Sequence, residues 1–140
     1  MIKFIWILVV ITMQTKKTLK QVIANLRDIL MHSDSYLFEL FVGALHLFIL
    51  PLAILEVGHL WHIQLMGVLV GAFQLYAVGM KDIYCRYKAC QFAFILAAIT
   101  VVHYAVIGMM HGSHLGWALV AVMSLMNLIR TFKEKVYRGI

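Results

Sequence analysis

Six of the seven histidines in this chain fall in or beside long apolar runs, where an ionisable side chain is costly and therefore marks a candidate for chemistry. Glu56, His59 and His62 are spaced three apart, and His111 and His114 repeat that spacing further along. If the chain folds so that both groups reach one surface, their imidazole and carboxylate donors converge into a set that zinc, copper or nickel would accept. Short connections that leave neutral histidines at an interface are the ordinary alternative, and no HExxH or comparable motif is present. His46 and His103 are the deeper pair. At ~1.5 Å per helical residue they lie ~15 and ~20 Å from the basic ends of their runs, so facing each other they could ligate one haem iron. Hydrogen bonding between helices is the commoner use of such residues.

The remaining polar groups point to packing. Glu39 lies near the start of its apolar run, where Arg130 and Lys81 fall at the same level, so a structural ion pair is expected rather than a proton relay. Gln64, Gln74 and Asn127 should turn inward as interhelical hydrogen-bond partners. Gly67 and Gly71 form a GxxxG, and Gly79 roughly continues the same face, which marks a side where backbones can approach closely. Pro51 removes one helix hydrogen bond and should bend its helix near Leu47. Cys85 and Cys90 are spaced C-x4-C in a basic segment, which suits neither a disulfide framework nor a zinc site. The chain has no Ser-His-Asp arrangement, no glycine-rich phosphate loop and no paired acids within a run. It also lacks the repeat of broken helices found in many transporters. No catalytic, cofactor-binding or metal-ligating residue is assigned, and an enzyme is not indicated.

These residues must be carried by elements built for lipid. The chain has 140 residues, of which 64% are hydrophobic and 13% charged. A globular domain is about half apolar and about a quarter charged, so too little polar surface remains here to cover a water-soluble fold. Four apolar runs occupy 36–57, 60–80, 90–110 and 115–129. A bilayer core of ~30 Å needs about 20 helical residues. The first three runs meet that length, and the fourth reaches it if Phe132 extends the apolar stretch and Arg130 snorkels. Connections at 58–59, 81–89 and 111–114 are short, so consecutive helices should be antiparallel neighbours. The expected fold is all-α: an integral membrane four-helix up-down bundle over 36–132, an N-terminal membrane-surface segment over 1–35 and a basic tail over 133–140.

Charge sets the orientation. Lys3, Lys16, Lys17, Lys20 and Arg27 precede the first run, Lys81, Arg86 and Lys88 fall between the second and third, and Arg130, Lys133, Lys135 and Arg138 close the chain. These are all twelve basic residues, and a four-span arrangement puts every one on the same side, which the positive-inside rule makes cytoplasmic. Trp61 and Trp117 then fall near the outer ends, where interfacial indoles are expected. The formal net charge of +6 is accounted for by topology and does not call for sequence-specific nucleic acid. In the N-terminal segment, the apolar stretch 4–13 is too short to span and lacks the small residues of a signal cleavage site, so it is read as retained. Leu19, Val22, Ile23, Leu26, Ile29 and Leu30 recur at helical spacing, with Lys16, Lys17, Lys20, Asn25 and Arg27 on other faces. That describes an amphipathic helix lying on the membrane surface, followed by Ser33, Asp34 and Ser35 as cap oxygens. A fifth span drawn from residues 2 to about 20 is the rival arrangement.

The 36–130 stretch also resembles small four-span membrane proteins encoded in bacteriophage genomes. Glu39, Pro51, Trp61, the glycine-spaced second run with Gln74-Leu75, and the closing Leu128-Ile129-Arg130 carry the resemblance. It covers about two-thirds of the chain; the first 35 residues depart from it. The resemblance implies a non-enzymatic structural protein in a virion membrane or the host inner membrane, self-associated or set beside other membrane or capsid proteins. A holin-like permeabilising protein and a metal- or haem-binding subunit of a membrane complex are the alternatives. The topology is testable directly. Reporter fusions at residues 85 and 140 should read cytoplasmic, and a cysteine placed at Gly112 should label from outside; external labelling of the 81–89 region would overturn the arrangement.

Overall fold

The computed structural model describes residues 2–32, 36–54, 61–107 and 113–138, which are all helical, with no strand among the described residues. The elements are α1 (Ile2–His32), α2 (Leu37–Ala44), a π-helical turn (Leu45–Ile49), α3 (Leu50–Ile54), α4 (Trp61–Met80), α5 (Ile83–Ile107) and α6 (Ser113–Tyr137). Three helices are long and apolar enough to cross a membrane: Trp61–Met80, Ile83–Val106 and Leu115–Tyr137. Leu37–Leu52 is apolar but shorter.

Small and polar residues are prominent among the buried positions, and large apolar residues are prominent among the exposed ones. Gly67, Gly71, Ala93, Ala97, Thr100, Ser124 and Thr131 face inward, whereas Leu69, Ile95, Val102, Leu119 and Val122 are turned out. Lipid offers no hydrophobic drive between helices, so small residues that let backbones approach and polar groups that bond internally take the inside. The buried hydroxyls close on their own helices: Thr100, Ser124 and Thr131 donate to the carbonyls of Leu96, Val120 and Asn127 at 2.7, 2.8 and 2.9 Å.

A regular alternation of three and four residues organises this inside. On α5 the buried positions run Ile83, Arg86, Cys90, Ala93, Ala97, Thr100 and Tyr104; on α6 they run Trp117, Val120, Ser124, Asn127 and Thr131. α4 follows with Ile63, Gly67, Val70, Gln74 and Ala77. Such a repeat keeps a narrow seam facing its partner along the whole length of a helix pair. α5 packs along α6 and α4, and α2 lies against α4 and also reaches α6.

The glycines of α4 set the approach of the first helical run. A methyl group at Gly71 would stand 2.5 Å from the Leu47 nitrogen and 2.7 Å from the Gly43 oxygen, and one at Gly67 would meet Leu50 at 2.9 Å. The GxxxG is therefore the packing face its spacing implies. Opposite it lies the π-helical turn, with the expected distortion site, Leu47, at its centre. Pro51 cannot donate to the Leu47 carbonyl and its ring crowds that group; an inserted π turn takes up the misfit without breaking the helix. The Pro51 carbonyl accepts from Gln64 Nε2 at 3.2 Å, which bears out the inward role of that glutamine.

Three expectations are corrected. The connection read over 81–89 is confined to Lys81 and Asp82, because α5 already begins at Ile83. Charged residues suggested a loop there, but Arg86 is buried against acids and Lys88 points outward. The turn closes with Lys81 in the left-handed region (φ 56°) and its N–H on the Val78 carbonyl at 3.1 Å, while Asp82 Oδ2 accepts from the Cys85 N–H at 3.1 Å as the α5 cap. Hydrogen bonds from Cys85, the thiol's first, hold the Asp82 carboxyl below its ordinary range. Secondly, Trp117 is buried rather than interfacial, whereas Trp61 is exposed as expected.

Thirdly, the N-terminal segment is a single element. α1 is one uninterrupted helix of 31 residues, so the apolar stretch and the amphipathic stretch are not separate elements. Val22 and Ile29 are buried and Asn25 lies with them, its Nδ2 donating to the Gly79 carbonyl at 2.6 Å; Leu19, Ile23 and Leu30 are exposed. Gly79 sits in the last turn of α4, where carbonyls lack helical partners, and a methyl there would stand 2.6 Å from Val22. Asn25 thus docks α1 on α4, while the larger apolar residues Leu19, Ile23 and Leu30 face outward. The expected cap oxygens at Ser33, Asp34 and Ser35 lie outside the described residues.

The packing predicts a contrast between two glycines. Gly71→Ala should lower the thermal midpoint in detergent, at a cost of about 1–3 kcal/mol from forced separation of the helices. Gly116→Ala meets nothing within 4 Å and should leave it unchanged or raise it. Equal midpoints for the two variants would show that the α4 contact is looser than described.

Candidate functional site

At the end of the packed helices that carries the basic residues, three helices deliver charge to one point. Glu39 stands in the first turn of α2, where a helix N-terminus favours a carboxylate. Arg86 stands in the first turn of α5, where the same field disfavours a cation. α6 contributes Arg130, Glu134 and Arg138 at four-residue spacing along one side of its last turns.

Arg86 Nε donates to Glu39 Oε2 at 3.0 Å and Nη2 to Oε1 at 2.6 Å, a bidentate fork. Its Nη1 reaches both Glu134 oxygens, at 3.2 and 3.0 Å. Arg130 Nη2 donates to Glu39 Oε1 at 2.7 Å, and Arg138 pairs with Glu134 at 2.7 Å. The Tyr36 ring covers the Arg86 guanidinium carbon at 4.3 Å from its centroid. Glu39 is 0% exposed and Arg86 2%, so this is a buried network whose members satisfy one another. Three guanidiniums face two carboxylates.

The expected Glu39–Arg130 pair is present, but Lys81 is not in the network; it lies 3.6 Å from Asp28 on α1, an exposed contact worth little. Arg86 is the principal partner, and it was missed because a cation beside a turn reads as a topology signal. Glu134 was missed for the same reason within the tail. The signal that could have found Arg86 is its register: it continues the three-four alternation of the α5 interior. Lys135, also read as a tail charge, lies over the Tyr84 and Tyr87 rings at 5.0 and 4.8 Å.

The described histidines His46, His62 and His103 do not assemble into one site. His46 is buried in the π-helical turn, its Nδ1–H donating to the Val42 carbonyl at 2.9 Å and its ring 5.8 Å from that of Trp117; Nε2 has no partner among the described residues. His103 lines a recess formed by α5 residues alone, with Ala98, Ile99, Val102 and Val106. Of the candidate metal donors, His62 is exposed on α4 beside Trp61, while Glu56, His59 and His111, and the side chain of His114, lie outside the described residues. Among those described, no three His, Cys, Asp or Glu are grouped to hold a metal ion. Gln74 and Asn127 are buried as expected, each with one amide atom unpartnered among the described residues. Cys85 and Cys90 are free thiols.

A carboxylate held by two guanidiniums has its acceptor sites occupied and no water-facing surface, so Glu39 is placed to fasten helices and not to relay protons. No family model, curated protein or solved structure matches this chain.

The network predicts an order of costs. Arg86→Gln leaves Glu39 with Arg130 alone and should destabilise by about 3–5 kcal/mol, the range for breaking a buried pair. Arg130→Gln removes a half-exposed member and should cost less. Thermal midpoints in one detergent give the order; a smaller loss for Arg86→Gln would contradict it.

Proposed function

We propose that the chain is a non-enzymatic structural integral membrane protein whose four spans form an up-down bundle, and that it anchors or organises a membrane against a protein assembly. The observation that carries the membrane reading is the distribution of side chains, with small and polar groups inside and large apolar ones outside along helices of bilayer length. The Leu37–Leu52 helix would supply the fourth span, continued through Ile54 and tolerated, though short, by local thinning of the bilayer. Both termini would be cytoplasmic, since all twelve basic residues gather on one side of that arrangement.

A structural role is supported by where the polar groups go. Glu39, Arg86, Arg130, Glu134 and Arg138 are spent on one another, and the interior polar residues close on their own helices, bond a neighbouring helix or stand singly, so among the described residues no continuous polar stripe is left to line a lesion. That favours a scaffold over a holin-like protein. A viral setting, in a virion membrane or a host inner membrane, rests on the resemblance of the 36–130 stretch. In that setting the basic face would meet acidic patches of a protein shell or anionic lipid, each charge worth on the order of 1 kcal/mol at an anionic surface. Lys133 is the tail lysine open to such contact, since Lys135 is held over two tyrosines.

Two measurements test the proposal. The protein should stay with the membrane pellet after alkaline extraction, and release into the supernatant would end the integral reading. Lysine cross-linking of intact membranes or particles should join Lys133 to a neighbouring protein; links confined to lipid-facing self-contacts would leave a membrane protein without the anchoring role.

A further inference from the structure

Between α2 and α6, beside the charged network, the helices leave a cavity of about 270 Å³ lined by Phe38, Met123, Met126, Asn127 and Arg130. It shares Phe38 and Met123 with a second recess of about 410 Å³ that continues along α2 past Phe41 to Ala44. The lining is apolar except at one end, where Arg130 and Asn127 stand one helical turn apart. Arg130 is half-exposed and spends one nitrogen on Glu39. Asn127 is 3% exposed and its Nδ2 has no partner among the described residues. A donor buried without a partner is costly, and here it borders a groove.

We propose that this groove binds one anionic phospholipid of the leaflet on the basic side, with the phosphate on Arg130, a glycerol ester carbonyl on Asn127 and an acyl chain along Phe38, Phe41, Ala44 and Met123. The inference rests on the membrane reading above. Charge complementarity selects the occupant: the network carries one guanidinium more than it has carboxylates, and the extra positive charge faces the groove through Arg130. An ester carbonyl lies about one helical turn below the phosphate, which is the offset of Asn127 from Arg130. A peptide helix would need a wider trough than one bordered by two helices already in contact through α2 and α6.

The full chain in detergent, given equal amounts of phosphatidylglycerol and phosphatidylcholine, is examined by native mass spectrometry. The wild type should retain phosphatidylglycerol over phosphatidylcholine by about fivefold, the equivalent of one surface charge. Arg130→Gln should bring the ratio close to one, as should Met126→Trp, which fills the groove without touching the network. Asn127→Leu should lower retention of both lipids alike, since the ester carbonyl is common to them. Lys133→Gln, a charge outside the groove, should leave ratio and retention unchanged. Circular dichroism of each variant shows that the helices remain. An unchanged ratio in Met126→Trp or undiminished retention in Asn127→Leu would overturn the site, and so would a dimer without lipid whose mass is lost in Met126→Trp, since a second copy would then be the occupant. Insertion of the wild type into pure phosphatidylcholine discs with no preference between lipids would overturn the site and leave the membrane reading standing. Failure to insert into any bilayer would overturn both.

Discussion

Glu39 and Arg86 come from helices 47 positions apart in the chain and bury their charges against each other, and most of what surrounds them follows from the need to keep both satisfied. Taking two ions from water costs several kcal/mol each, which attraction offsets only when every remaining donor and acceptor is engaged. That requirement reaches beyond the pair. Arg86 sits at the N-terminus of its helix, against the helix field, so Glu134 is needed as a second carboxylate and Tyr36 as a lid. Glu39 accepts from Arg130 as well. The result fixes the axial positions of α2, α5 and α6 at one end, since sliding any helix by one residue (~1.5 Å) would break the forks.

Apolar packing in lipid can hold helices together, but it fixes their register weakly. The α5–α6 seam is built from Ala93, Ala97, Thr100, Val120 and Ser124, side chains so similar in size that neighbouring registers differ little in contact area. Two features remove that degeneracy. One is the charged network; the other is the glycine contact, where Gly71 admits the backbone at Gly43 and Leu47 and no other residue type could stand. Pro51 belongs to the same solution. Its π turn changes the phase of the first helical run, so residues before and after the turn both meet α4, from Gly43 to Leu50.

The sequence declares what lipid demands and conceals what neighbours decide. Helical class, the apolar length of the last three runs, the glycine face and the inward turn of Gln64 were legible because each depends on local composition or spacing. The Glu39–Arg130 pair was legible because the level of a residue in a span can be counted. Arg86 was not, since whether a cation beside a turn is solvated or buried depends on acids 47 and 48 positions away. The contact of α1 with α4 was not legible for a related reason. The apolar residues of α1 cover more than one side of the helix, and the choice between sides is made by one hydrogen bond from Asn25 to a carbonyl of another helix. Trp117 shows the limit of positional rules: its height suited an interface, but its place in the three-four alternation turned it inward onto His46.

The contacts that hold α1 and the contacts that hold the network occupy the same end of the molecule, and they meet at the shortest turn. Gly79 receives α1, Lys81 and Asp82 turn the chain, and Arg86 enters the network one helical turn later. Because α5 starts at once, with Asp82 as its cap, no slack separates the docking of α1 from the position of Arg86. A pull on α1 would act on the Gly79 backbone, and through two residues on the first turn of α5. The basic end is thus one connected plate made from five chain segments. Deeper in the molecule, His46 keeps one ring nitrogen unpartnered among the described residues, its other nitrogen on the Val42 carbonyl and its ring against Trp117. The fixed points of the described helices are thus concentrated on the basic side.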